Sequence, residues 1–180
     1  MFVLRNMTHM LHLHPRYFGS ELKQVVEKKL KEDVEGTCSG RFGYIIMVVE
    51  VTDPGAGVLV PTTGYAEFKI VYKALLLKPF KNEVLDGTVI ACNKNGFFME
   101  VGPLNIFVSN LHMPRNFKLH ETPPNPVYKS SDEQVIGPGS FVRTRIIGTR
   151  VDQNEIYGVG AIDEEFLGLL HRTQAPRFSA

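Results

Sequence analysis

EVLDGTVIACNKNGFFMEVGPLNIFV, residues Glu83 to Val108, decides how the rest of the chain is read. Taken two residues at a time, it separates into three short strands. Thr88-Val89-Ile90-Ala91-Cys92 runs into Asn93-Lys94-Asn95-Gly96, a polar cluster ending in glycine that predicts a tight turn. Phe97-Phe98-Met99-Glu100-Val101 follows and stops at Gly102-Pro103, and a third apolar run spans Leu104 to Val108. Strands joined this closely predict an antiparallel meander, the first half of a small barrel. Gly87, Gly96 and Gly102 fall beside the predicted turns, where a closed barrel has to bend sharply. The outer face of such a barrel can carry exposed aromatics on which bases stack.

The 180 residues around this stretch suffice for one large or two small domains. A 43% hydrophobic and 22% charged composition is that of a folded soluble protein. Residues 1–80 hold 10 basic and 8 acidic groups, and residues 81–180 hold 10 and 11. Neither half is a polycation, so tight nonspecific binding of duplex DNA is not expected, whereas weak RNA contact through a local patch is compatible with the charge. Cys38 and Cys92 are far apart with no CxxC spacing, which indicates neither zinc nor a disulfide framework and fits a reducing intracellular compartment. No run approaches membrane-spanning length and no membrane association is expected.

Upstream, Leu11 and Leu13 share one face of an extended segment, Phe2 to Leu13, while His12 and His14 point the other way. His9, His12 and His14 have no neighbouring carboxylate or cysteine to complete a ligand set, so no metal and no cofactor are expected. HPRYFGS reads as punctuation, with Pro15 opening a turn, Gly19 closing it and Ser20 as helix N-cap. Leu22, Val25, Val26 and Leu30 recur at helical spacing up to a stop at Gly36. The lysines interleaved with Glu27 and Glu32 read as a solvated, salt-bridged face. Arg41 to Val51 is apolar at both parities, which predicts a strand covered on both faces, and Tyr65 to Leu77 alternates cleanly.

Between these two strands lies TDPGAGVLVPTTG. Its Gly-x-Gly is no phosphate loop, because no helix follows and there is no Gly-Lys-Ser/Thr. A loop bent by Gly55, Gly57 and Gly64 and carrying Val58, Leu59 and Val60 reads either as a plain hairpin or as a docking tip for another protein. The strand–helix–strand–strand order predicts a small α+β domain over residues 1–80, a truncated RNP-like tip. It carries no aromatic RNP motif, so RNA is not expected on its sheet.

Lys78-Pro79-Phe80 marks a junction without a long linker, and residues 81–180 read as an all-β OB-fold barrel. The Pro-rich stretch from Leu111 to Glu133 reads as an insertion. It holds His112, Arg115, Phe117, Lys118 and His120 as exposed candidates for single-stranded RNA, or as plain surface loop. Gly137-Pro138-Gly139 turns the chain into a strand where Arg143 and Arg145 share a face. The two arginines suit a nucleic-acid backbone or a surface salt-bridge cluster with Asp152 and Glu155. Asn154 falls in a turn before the closing strand Ile156 to Ile162, and RTQAPRFSA reads as a loose tail. No nucleophile–base pair or convergent carboxylates stand out, so no catalytic role is expected.

The meander is similar to the OB-fold RNA-binding domain repeated in ribosomal protein S1. That family runs Gly-x-Val, then Phe-Gly-x-Phe-Val, then a strand ending His-x-Ser-x-x-Leu. Gly87 and Val89 match the first part, and Gly96 and Phe98 the second. Phe107 stands at the His position, Ser109 at the Ser, and Leu111 one place short of the Leu, while Asn95 replaces a Phe that commonly stacks bases. Across the whole chain, HPRYFG, EGTCSGRFGY, GAGV with a following Gly, YKALLLKPFKNEV and GTRVDQNEIYGVGAIDEEFLGLL occur in order. Together they resemble the larger, OB-domain-bearing stalk subunits of RNA polymerases, that of polymerase II in particular, which have relatives in the archaeal polymerase stalk.

The resemblance implies a nuclear, non-catalytic subunit that pairs with a helical partner subunit across the domain junction. It implies docking on the polymerase core near the clamp through Arg16, Tyr17, Phe18 and Gly19 and the loop with Gly55, Gly57, Val58, Leu59, Val60 and Gly64. It places Phe98, Phe107, His112, Arg115, Arg143 and Arg145 among contacts to emerging single-stranded RNA. The alternative from the barrel alone is a free-standing OB-fold RNA-binding factor in RNA processing or translation.

Overall fold

The computed structural model describes residues 1–120, 126–131, 134–152 and 155–170. Its contacts divide the chain into two compact units, Met1–Lys78 and Pro79–Ala180. Asn154 and the stretch RTQAPRFSA lie outside the described residues.

In the first unit five strands, β1 (Phe2–Leu13), β2 (Cys38–Ser39), β3 (Gly43–Asp53), β4 (Val58–Leu59) and β5 (Ala66–Leu77), form one antiparallel sheet. The long β5 lies between β1 and β3, with β4 paired to its beginning. One helix, α1 (Leu22–Val34), follows β1. Its apolar positions Val26, Leu30 and Val34 are buried in the cluster that contains Leu11, Leu13, Ile70, Tyr72 and Leu76. Each such side chain removed from water contributes on the order of 2 kcal/mol. The helix begins one residue later than Ser20 predicts. Glu21 occupies the N-cap without a side-chain bond, and the Gly19 carbonyl accepts from the Leu22 amide. It ends as predicted at Gly36, whose φ of +79° is a conformation glycine adopts without strain.

β3 departs from the expected strand buried on both faces. Three register shifts interrupt its pairing with β5, between Ile45 and Met47, Val48 and Glu50, and Val51 and Asp53. Each bulge adds a residue on β3 and resets which side chain faces the helix. Burial therefore recurs every third residue, at Ile45, Val48 and half-buried Val51. Ile46, Met47 and Val49 are left exposed.

The second unit is a closed barrel with an appendage. β6 (Val84–Asn93), β7 (Gly96–Val101) and β8 (Leu104–Ser109) form the predicted meander. A short 3-10 turn, Asn110–His112, leads into a three-stranded antiparallel sheet of β9 (Phe117–His120), β10 (Val127–Ser130) and β11 (Val135–Ile136). The described part of the insertion is thus built of paired strands. The buried Tyr128 hydroxyl ties it to the barrel by donating to the Asn93 carbonyl at 2.6 Å. The twelve-residue β12 (Phe141–Asp152) pairs through its first half with β6 and through its second half with β13 (Glu155–Ala161). A bulge near Ile147 lets it turn from one to the other. β13 also lies parallel to β8, which closes the barrel, and β14 (Gly168–Leu169) adds to β12.

Phe97, Met99, Leu104, Ile106, Val108, Val142 and Ile146 fill the interior with no measurable exposure. The one polar side chain among them, Thr144, donates its hydroxyl to the Met99 sulfur at 3.0 Å. At Gly96 (φ +147°) a Cβ would collide with the Val108 carbonyl, so the β6–β7 turn can approach β8 only with glycine there.

Two outcomes follow. Phe97→Ala should lower the unfolding free energy by about 3–5 kcal/mol in denaturant titration, while Phe98→Ala, 40% exposed before truncation, should cost about 1 kcal/mol or less. In the native protein a maleimide reagent should modify Cys38 and spare Cys92. Burial pushes the Cys92 thiol pKa upward and so depletes the reactive thiolate.

Candidate nucleic-acid interface and docking tip

β7 alternates, so Phe97 enters the core while Phe98 faces out, and Phe98 meets its register partner Phe107 of β8 on the exterior. Their ring centroids lie 4.9 Å apart, tilted by 43°, within the range of favourable aromatic pairs. Together with Ile90, Ala91, Asn105, Tyr157 and Gly158 they line an exterior cleft of about 290 Å³. Ile90 alternates with the buried Leu85, Gly87 and Val89 and is 47% exposed, and the register shift between Val89 and Ala91 then turns Cys92 inward. The cleft thus has aromatic walls, aliphatic edges and one amide side chain.

The sequence found the two phenylalanines but missed Ile90, Asn105 and Tyr157. Tyr157 could have been identified by extending the outward parity of the closing strand. Ile90 could have been found in the same way, since it alternates with the buried Leu85, Gly87 and Val89. His112 and Arg115 fall outside the cleft lining, half-buried and exposed respectively after β8.

Arg143 and Arg145 lie on β12 with their charge already engaged. Arg143 grips Asp86 with both arms of its fork, Nε to Oδ1 at 2.6 Å and Nη2 to Oδ2 at 2.8 Å. The bonds to Asp86 hold the guanidinium pKa above its ordinary value. Arg145 Nη2 pairs with Glu164 at 2.5 Å. These are the salt bridges that the sequence offered as an alternative to backbone binding, made with Asp86 and Glu164 instead of Asp152 and Glu155. A carboxylate that occupies the arginine fork competes directly with a phosphate for it.

At one end of the first unit the structure brings together the two segments that the sequence singled out separately. The His14 and Tyr65 rings meet edge to face at 5.3 Å. Pro15–Tyr17 forms a single 3-10 turn in which the His14 Nδ1 accepts from the Arg16 amide. Arg16 lies over the Tyr17 ring, 4.5 Å from its centroid, and donates to the Tyr17 hydroxyl. The hairpin is closed by Val60 N–H to the Tyr65 carbonyl at 2.8 Å and Gly64 N–H to the Val60 carbonyl at 2.9 Å. Phe18, Val58, Leu59 and Tyr65 are exposed there, the middle two at 63% each. Gly55 and Gly57 serve packing: a Cβ on Gly55 would strike the Lys69 backbone, and one on Gly57 the Phe68 ring.

A second apolar surface was not anticipated. Leu4, Leu75 and Met47 stand in one cross-strand row through β1, β5 and β3. Leu4 and Met47 are about half exposed, as are the neighbouring Phe2 and Val49. Among the described residues no group of three or more His, Cys, Asp or Glu could hold a metal ion, and no helix is long and apolar enough to cross a membrane.

Comparison with known proteins gives this geometry its context. Residues 8–64 match the SHS2 domain found in the N terminus of Rpb7p/Rpc25p/MJ0397, and residues 78–158 match the S1 RNA-binding domain. The chain is 44% identical over 171 residues to the DNA-directed RNA polymerase II subunit rpb7 of Schizosaccharomyces pombe, covering 94% of this chain and 99% of the relative. It is 40% identical over 172 residues to subunit RPB7 of Saccharomyces cerevisiae, covering 94% and 100%. Against subunit 7 of RNA polymerase V from Arabidopsis thaliana identity falls to 28% over 156 residues, covering 84% and 86%. With both domain types in the same order and full-length similarity at this level, the chain belongs to the RPB7 family of RNA polymerase II stalk subunits.

Proposed function

We propose that the chain acts in the nucleus as the OB-bearing half of the polymerase II stalk, without catalytic groups of its own, and holds emerging transcript on its barrel. The observation that carries the RNA part is the exposed Phe98–Phe107 pair in its cleft, within the segment that matches an RNA-binding domain. Stacking on such rings contributes about 1–3 kcal/mol per base and tolerates any sequence. With formal charge near zero and two of the three β12 arginines, Arg143 and Arg145, engaged by carboxylates, binding is weak and governed more by stacking than by charge.

The tip of the first unit is the docking element for the polymerase core near the clamp. Val58, Leu59, Phe18 and Tyr65 form its apolar contact, with Arg16 and Tyr17 beside them. The row Leu4–Leu75–Met47 is the seat of the helical partner subunit: a half-exposed apolar sheet face accepts the apolar stripe of a helix. Such a wedge biases clamp position only to the extent that its contacts differ between clamp states.

Affinity purification of the tagged chain from nuclear extract tests the reading. Wild type should recover polymerase II core subunits and a helical partner. Val58→Asp with Leu59→Asp should lose the core and keep the partner, while Leu4→Lys with Met47→Lys should lose the partner. Recovery of ribosomes or RNA-processing factors in place of polymerase would sink the stalk assignment and favour a free-standing RNA binder. Phe98→Ala should weaken single-stranded RNA about fivefold or more in fluorescence anisotropy.

A further inference from the structure

The exterior of the barrel is ruled into two parallel rows by the strand register. One row is apolar: Val159 pairs with Phe107, Phe107 with Phe98, and Phe98 with Ala91. The next is polar: Tyr157 pairs with Asn105, Asn105 with Glu100, and Glu100 with Thr88. Asn105 and Glu100 are exposed, and Asn105 also lines the cleft. Tyr157 is held by donating its hydroxyl to Glu155. Residues two apart on a strand share a face about 6.7 Å apart. That is the distance from the centre of a stacked base to a side chain that hydrogen-bonds its edge.

We propose that this polar row reads the identity of the base stacked on Phe98 and Phe107, and that it selects guanine and disfavours uracil. The inference rests on the RNA-binding reading of the cleft and adds the choice of base. A carboxylate only accepts hydrogen bonds, whereas an asparagine amide both donates and accepts. Guanine presents two adjacent donors, N1–H and the N2 amino group, beside the O6 acceptor. Glu100 takes both donors and the Asn105 amide donates to O6. Uracil turns two carbonyl oxygens and a single N–H to the same edge, so at least one oxygen faces the carboxylate. Adenine and cytosine each bring one amino group and fall between.

The charge also sets the polarity of binding. At the other end of the polar row Arg150 pairs with Tyr157, but beside Glu100 phosphate is repelled, so there the RNA backbone passes on the far side of the aromatic row. The β6–β7 turn that bears Lys94 lies on that side, before Phe98 in β7. A stacking platform without such a row would accept every base alike.

Fluorescence anisotropy of the full chain tests this with short labelled oligouridylates whose single central nucleotide is guanosine, inosine, adenosine, cytidine or uridine. The guanosine oligonucleotide should bind about five- to tenfold tighter than all-uridine, the discrimination one bidentate contact provides. Inosine, which lacks the N2 amino group, should fall between them. Glu100→Gln and Asn105→Leu should each narrow the difference between guanosine and uridine, and Phe98→Ala should weaken all five together. Equal affinity for all five with Phe98→Ala still weakening them would overturn base reading and leave the aromatic platform standing. A preference that survives both Glu100→Gln and Asn105→Leu would overturn it as well. Binding indifferent to Phe98→Ala would remove the platform and the base reader together. Circular dichroism of these surface variants keeps misfolding separate from each outcome.

Discussion

The architecture of the barrel turns on the parity of one strand. Phe97 and Phe98 are chemically the same and adjacent, yet one is wholly buried and the other 40% exposed. Successive strand residues face opposite ways, so a slip of one place would put Phe98 and Glu100 inside and the core residues outside. Gly96 pins the register, since no other residue lets the turn approach the Val108 carbonyl. Burial of Phe97 and Met99 then supplies the driving force that holds Phe98 outside beside Phe107. Core and candidate site are two readings of the same alternation. A substitution that loosened the interior would also move the aromatic pair.

This explains why the meander was legible in sequence and β3 was not. Period-two patterns report the face of a regular strand, and β5, β7 and β8 are regular, burying alternate residues. β3 carries a bulge about every third residue, and a run apolar at both parities looks the same whether both faces are covered or the face keeps changing. The insertion after β8 was opaque for a different reason. Its strands are two to four residues long, too short to show a period, and they are organised by the buried Tyr128 through a hydrogen bond to a carbonyl 35 residues earlier. The arginines illustrate a third limit. Parity put Arg143 and Arg145 on one face, but their partners, Asp86 and Glu164, come from distant parts of the chain.

The first unit divides its surface in a way that suits an assembly component. One sheet face is sealed by α1, and the hairpin glycines bring the loop against Phe68 and Lys69. Much of what remains apolar and exposed falls in two places, the tip around Leu59 and the row through Met47. Scattered exposed hydrophobics need no explanation, but contiguous ones in a soluble chain mark contact surfaces. The bulges in β3 turn Met47 and Val49 outward. The irregularity that defeated the sequence reading therefore also creates the candidate partner seat.

On the barrel exterior, charge is likewise taken up in pairs. Asp86 holds Arg143 and Glu164 holds Arg145, so these two arginines present little unengaged charge to a passing strand. On the RNA-binding reading proposed above, a subunit beside a moving transcript would gain from this arrangement. Cationic grip would grow with every phosphate engaged and fall steeply with salt, slowing release along the whole strand. Stacking on one or two rings acts on one or two bases at a time, in a cleft of about 290 Å³, and lets each go as the next arrives. On that reading the ion pairs help keep affinity weak, because Asp86 occupies the Arg143 fork that would otherwise be open to a phosphate.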